Sequence, residues 1–213
     1  MNKVGASFSI QRVNAAAVML EAILPLKTKP SIASSAVVLP HSRSGDTINN
    51  DMIAECDYGQ MSILLLYAEA EAQDQLPEGD LYDLSAYGIP RECRSGIKKV
   101  MQAIINSPDI PKRLPKGARK NIPTNISLKQ ILTAIEQKHP VIYPLMKSNR
   151  GMQLFRKESD ILVDVLLTLR EHDVVALPIH DAVLVADEDK ETAVRVMKEV
   201  FREHTGITPE VTH

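Results

Sequence analysis

Two aspartates stand where an acid rarely serves a core. Asp57 closes the apolar-leaning run Met52–Tyr58 (MIAECDY), and Asp181 lies at the bend between Asp173–Pro178 (DVVALP) and Ala182–Ala186 (AVLVA). If both runs enter one antiparallel sheet, the two carboxylates converge at a common rim. Carboxylate oxygens are hard ligands suited to Mg²⁺ or Mn²⁺, which take one or two carboxylates along with substrate phosphates and retained waters. Two such ions about 3.5–4 Å apart relieve charge on the attacking and leaving oxygens of a phosphoryl transfer. For either aspartate alone, turn capping is the better reading; taken together, each behind an apolar strand, they favour the metal. Arg94 and Lys98, spaced i,i+4, project from one helical face, where they could grip a triphosphate opposite the carboxylates. A solvated basic face is the alternative for that pair.

The elements that must position these residues follow from periodicity and punctuation. Met52–Tyr58 reads as a strand, and the segment from Gly59 through Ala70 (GQMSILLLYAEA) has helical spacing, so the order is strand, sharp turn, helix. Pro77 to Asp80 resets the chain. Arg91–Ile105 gives an amphipathic helix stopped near Pro108. Helices are expected at Leu128–Lys138, with Ser127 as its cap, around Val141–Lys147, and at Asp160–Glu171 (DILVDVLLTLRE). Ile179-His180-Asp181 separates the two strand-like runs of a hairpin, and Asp187–Thr205 is a final helix closed by Gly206. Nearer the start, Val13–Leu24 reads as a helix and Pro25–Ser44 as loop.

Charge is distributed unevenly. Between Arg91 and Lys120 stand nine cations against two acids, Glu92 and Asp109, although the whole chain has a formal net charge of only −2. The loop Pro108–Pro123 carries Lys112, Arg113, Lys116, Arg119 and Lys120, a group suited to a polyanionic backbone or, equally, to a solvated loop. At 213 residues and 44% hydrophobic positions, the chain can bury a core without disulfides or a structural metal. Cys56 and Cys93 read as reduced, buried thiols, and no CxxC or HExxH spacing is present. The apolar stretch Ala15–Leu26 is broken by Glu21 and Pro25, so neither a secretion signal nor a membrane span is expected, and a cytoplasmic setting is.

The order ECDYGQMSILLLYA, GDLYDL, RSGIKKVM and LPIHDAVLV resembles motif A, the following segment, the fingers helix and motif C in the palm of family A DNA polymerases and phage-type single-subunit RNA polymerases. The resemblance covers about Glu55 to Gly206 and is closest to short, phage- or mobile-element-encoded polymerase-like proteins. It implies that Asp57 and Asp181 are the metal-binding catalytic acids, with His180 completing the His-Asp dipeptide. Arg94 and Lys98 match the nucleotide-gripping Arg-x-x-x-Lys, and Tyr82 falls where the family has a His or Tyr. Gln153 and Glu158–Asp160 fall where it places polar residues of the helix before motif C. Ser62 occupies the position of a sugar-discriminating glutamate in the DNA enzymes, and its small side chain leaves room for a ribose 2′-hydroxyl. The chain departs from the pattern at Gln102, Asn106 and Ser107, in place of an aromatic residue and a Tyr-Gly pair, and at Ala182, in place of an acid.

The expected architecture is therefore α+β. An antiparallel palm-type sheet of three or four strands carries helices on one face over residues 51–213, with a short helical fingers insertion at about 91–123 and an N-terminal segment over 1–50. The expected function is template-directed nucleotidyl transfer with Mg²⁺ or Mn²⁺. Its partners would be a nucleic-acid template tracked by Lys112, Arg113, Lys116, Arg119 and Lys120, nucleoside triphosphates, and a protein supplying the missing thumb function. The alternative is a degenerate palm that binds nucleic acid or a replication partner without turnover, as the departures at Gln102, Asn106, Ser107 and Ala182 suggest. A weaker third reading, a His-Asp metal phosphohydrolase, lacks histidine spacing at His139, His172 and His204 to support it.

Overall fold

The computed structural model describes Thr47–Ile48 and residues 51–213. The helix expected at Val13–Leu24 and the loop at Pro25–Ser44 lie outside the described residues. The chain divides into two compact units, Met1–Ile53 and Ala54–His213. In the first, β1 (Thr47–Ile48) pairs antiparallel with the start of β2 (Asp51–Tyr58), Thr47 opposite Met52 and Ile48 opposite Asp51.

The second unit is mixed α+β. From Ala54 on, β2 alternates as a half-buried strand should: Ala54, Cys56 and Tyr58 turn into the core while Glu55 and Asp57 take the other face. Beside β2 lies β4 (Ala182–Ala186), and β4 pairs antiparallel with β3 (Leu177–Ile179). Every residue of β4 is buried, as its unbroken apolar sequence requires of a central strand. The expected first arm of the hairpin, Asp173–Pro178, shortens to Leu177–Ile179, since Val175 is exposed and cannot sustain the alternation. A strand not anticipated, β5 (Val211–Thr212), pairs antiparallel with β2 and sets Thr212 opposite Asp57. Within this unit the described strands β2, β3, β4 and β5 number four, in keeping with the three or four expected.

Helix α1 (Met61–Glu69) follows β2 through a sharp turn in which Gln60 adopts a left-handed φ of 63°. Ile63 through Tyr67 are all buried, because α1 packs between the two long helices α5 (Gly151–Glu171) and α6 (Lys190–Thr205). A helix apolar around most of its circumference needs such surroundings. Helix α2 (Arg94–Ile105) is amphipathic, as expected, and a 3-10 turn at Arg91–Cys93 precedes it. It packs against the 3-10 turn Ala118–Asn121 and against α4 (Tyr143–Met146). Helix α3 (Leu128–Lys138) opens with a reciprocal capping box: Gln130 N–H donates to Ser127 Oγ at 3.3 Å, and Ser127 N–H donates to Gln130 Oε1 at 2.8 Å. Cys56 and Cys93 are both free and buried. Among the described residues, no helix is long and apolar enough to cross a membrane.

The basic segment is anchored rather than loose, since Ala118 and Ile122 are buried against α2. At Gly96 a Cβ would stand 2.6 Å from Ile122 Cγ1 and 3.1 Å from the Ala118 carbonyl oxygen. Gly96→Ala is therefore expected to destabilise. Overpacking of about 1–3 kcal/mol outweighs a helix-propensity gain of up to about 1 kcal/mol. Urea unfolding should read a net loss of about 1 kcal/mol.

Candidate active site

The two aspartates arrive on adjacent strands, Asp57 one residue before the end of β2 and Asp181 in the two-residue turn joining β3 to β4. His180, the other turn residue, holds a left-handed φ of 56°, a conformation His tolerates better than bulky residues do. Both His180 and Asp181 are exposed, whereas Asp57 is half-buried with its Oδ1 shielded from water and without a hydrogen-bond partner. Burial is the first cause that pushes the Asp57 carboxyl above the usual carboxylate range. The charge of Asp181 is the second, and Glu55 on the same face of β2 adds to it. Lys98 and the Tyr58 backbone N–H pull the other way.

A third acid joins this pair. Glu158 on α5 is also raised, by burial first and by Asp181 as well, while a hydrogen bond from Ser62 opposes the rise. Ser62 Oγ donates to Glu158 Oε1 at 2.9 Å. On α5 the buried side chains are Leu154, Ile161, Val165 and Leu169, and Glu158 falls at the i+4 and i−3 positions of that stripe. A carboxylate in an apolar slot was the available signal for a residue that sequence reasoning placed in the helix but did not assign to the site.

Opposite the acids, α2 presents a ridge of polar side chains in i,i+4 steps: Arg94, Lys98, Gln102 and Asn106. Arg94 and Lys98 are exposed, and both approach the ring of Tyr82, at 5.4 and 5.9 Å from its centroid. Arg94 is also hydrogen-bonded and ion-paired to Asp80. Tyr82 is buried, its hydroxyl bonded to Gln102, and burial pushes it up to about 12. Gln102 Nε2 donates to Ser62 Oγ at 3.3 Å, and Asn106 Nδ2 donates to the Gln102 carbonyl at 2.8 Å. A hydrogen-bonded chain thus runs from Asn106 through Gln102 and Ser62 to Glu158.

The structure brings Asp57, Asp181, Lys98, Ser62 and Glu158 into mutual electrostatic or hydrogen-bonding reach, with Tyr82 and Arg94 bordering them. The basic segment forms a separate group. Lys112, Arg113, Lys116 and Lys120 are exposed and form no ion pair among the described residues. Arg119 is spent on the chain itself, donating to the carbonyls of Pro123 at 2.9 Å and Ile126 at 3.2 Å.

Among the described residues, no group of three or more His, Cys, Asp or Glu gathers closely enough to hold a metal ion by protein ligands alone. Two carboxylates whose charges repel, one carrying a shielded oxygen without a donor, do fit a hard cation that completes its shell with water and phosphate. No protein-family model matches the chain, and no curated protein matches it either.

Proposed function

We propose that this chain is a template-directed nucleotidyltransferase, a minimal polymerase-like palm in which Asp57 and Asp181 hold two Mg²⁺ or Mn²⁺ ions. The observation that carries the reading is the convergence of these two acids. They come from β2 and the β3–β4 turn, their charges oppose each other, and Asp57 Oδ1 is left without a hydrogen-bond donor. When bound, such ions supply charge stabilisation at the attacking and leaving oxygens of a phosphoryl transfer.

The remaining work falls to the chain's own side chains. Arg94 and Lys98, one helical turn apart, receive a triphosphate on the ridge of α2, and Lys98 already lowers the cost of ionising Asp57. Ser62 borders the sugar, and its hydroxyl is oriented by Glu158 and Gln102. The exposed Lys112, Arg113, Lys116 and Lys120 follow the backbone of a template, with a salt-dependent affinity. Catalysis of this kind rests on positioning and charge rather than on proton chemistry. A partner protein supplies the thumb function. The test is extension of a primed template with Mg²⁺: Asp181→Asn is expected to abolish incorporation, and a variant that extends as the parent does rejects the reading.

A palm that binds nucleic acid without turnover is favoured by two features. Arg94, needed for the triphosphate, is engaged by Asp80, and Gln102 and Asn106 satisfy one another where the resemblance calls for rings. In that case the parent protein retains binding and incorporates nothing.

A further inference from the structure

The first turns of α5 carry two large apolar side chains in the open: Met152 is 79% exposed and Phe155 64%. They are three residues apart and therefore neighbours on the helix surface, and Phe155 stands three residues before Glu158. The sequence just before and through this turn is cationic. From Lys147 to Lys157 the chain holds Lys147, Arg150, Arg156 and Lys157 and not a single acid. Arg150 and Lys157 both reach Glu69, whereas Arg156 is exposed and forms no ion pair among the described residues.

An aromatic side chain open to solvent, next in sequence to the exposed cation Arg156 and one helical turn from Glu158, suits one class of occupant. Every nucleobase has a π face, stacking on an aromatic side chain tolerates any sequence, and adjacent cations neutralise the phosphates. A partner protein with an apolar patch would gain nothing from the excess positive charge unless it were itself acidic. We infer that Phe155, flanked by Met152, is a stacking platform for an unpaired base of single-stranded nucleic acid, with Arg156 contacting the adjoining phosphate. The platform lies outside the basic segment Pro108–Pro123 and has its own chemistry: it reads bases, and the segment reads charge. The inference rests on the proposed function for the identity of the strand, but binding at this platform needs no turnover.

The experiment measures binding of the full chain, without metal, to a labelled oligodeoxyadenylate and to an abasic oligonucleotide of the same length. Phe155→Ala and Phe155→Leu are expected to weaken the first by roughly ten-fold, as the loss of one stacked base does, and to leave the second within about two-fold. Phe155→Trp should retain base binding. Because the side chain is exposed, thermal midpoints should stay put, and the Trp variant serves if the others fail to fold. Equal affinity of the parent for both oligonucleotides, an unchanged affinity in Phe155→Ala, or an equal loss for both probes would overturn the inference. Extension assays run in parallel separate the two readings. Incorporation that depends on Asp181 while binding ignores Phe155 sinks the platform alone. Base-dependent binding by a parent that never incorporates sinks turnover alone.

Discussion

Asp57→Asn is expected to lower Mg²⁺-dependent nucleotide incorporation by at least about a thousand-fold while leaving the protein as stable as before, or more so. On the proposed function, the loss follows from removing one of the two acids that would hold the metal ions. Several kcal/mol of charge stabilisation at the transition state correspond to about three orders of magnitude in rate. The gain in stability follows from the environment of the same group. Burial, and then Asp181, hold the Asp57 carboxyl above its ordinary value. A carboxyl raised on folding binds its proton more tightly in the folded state, so it opposes folding once pH has climbed above the folded value. That cost vanishes below the ordinary carboxylate range. Asn keeps the shape and removes the charge. Primer extension and a thermal melt at neutral pH check both halves, and an Asn variant that melts lower with its activity intact would assign Asp57 to the scaffold.

The second large effect is one of stability. Acidification from about pH 7 to about pH 4 is expected to withdraw roughly 3 kcal/mol through His139 alone. His139 is fully buried between α1 and the segment that carries Tyr82: Tyr67 Oη lies 2.9 Å from Nδ1, and the Leu81 carbonyl lies 2.9 Å from Nε2. A carbonyl only accepts, so Nε2 bears the proton and Nδ1 accepts from the tyrosine hydroxyl. Burial lowers the imidazole from 6.5 to about 4, against the partial support of the Leu81 carbonyl. The unfolded chain takes up a proton near pH 6.5 that the folded chain refuses until about pH 4. Stability is therefore whole above 6.5 and falls as pH descends through this window. Urea titrations across it should show the slope in the parent and not in His139→Gln.

How far these features could be read in advance depended on whether they were local. The strand ending at Tyr58, the helix expected from Arg91 and found from Arg94, and the cap at Ser127 were legible, because alternation, amphipathic spacing and a cap are written within a few residues. Helix α5 was expected from Asp160 and begins at Gly151. Its first turns expose Met152 and Phe155, so their apolar positions contradict the buried stripe instead of extending it. Strand β5 has two residues and exists by pairing with β2, a long-range backbone contact that no local pattern encodes. At the site, Asp57 and Asp181 could be picked out by their positions at strand ends. Glu158 showed only as an acid four residues after Leu154 and three before Ile161; its bond to Ser62, 96 residues away, is made by packing. The basic segment was visible as charge, but the use of Arg119 as a brace across two carbonyls is a three-dimensional fact.

The pairing of Thr212 with Asp57, and of the Glu210 carbonyl with the Gly59 N–H at 2.9 Å, laces the stretch around residue 211 to the strand that carries Asp57. On the proposed function, a backbone shift at residues 210–212 would consequently be transmitted along the strand that holds Asp57, so a substitution there would alter activity without touching the candidate site.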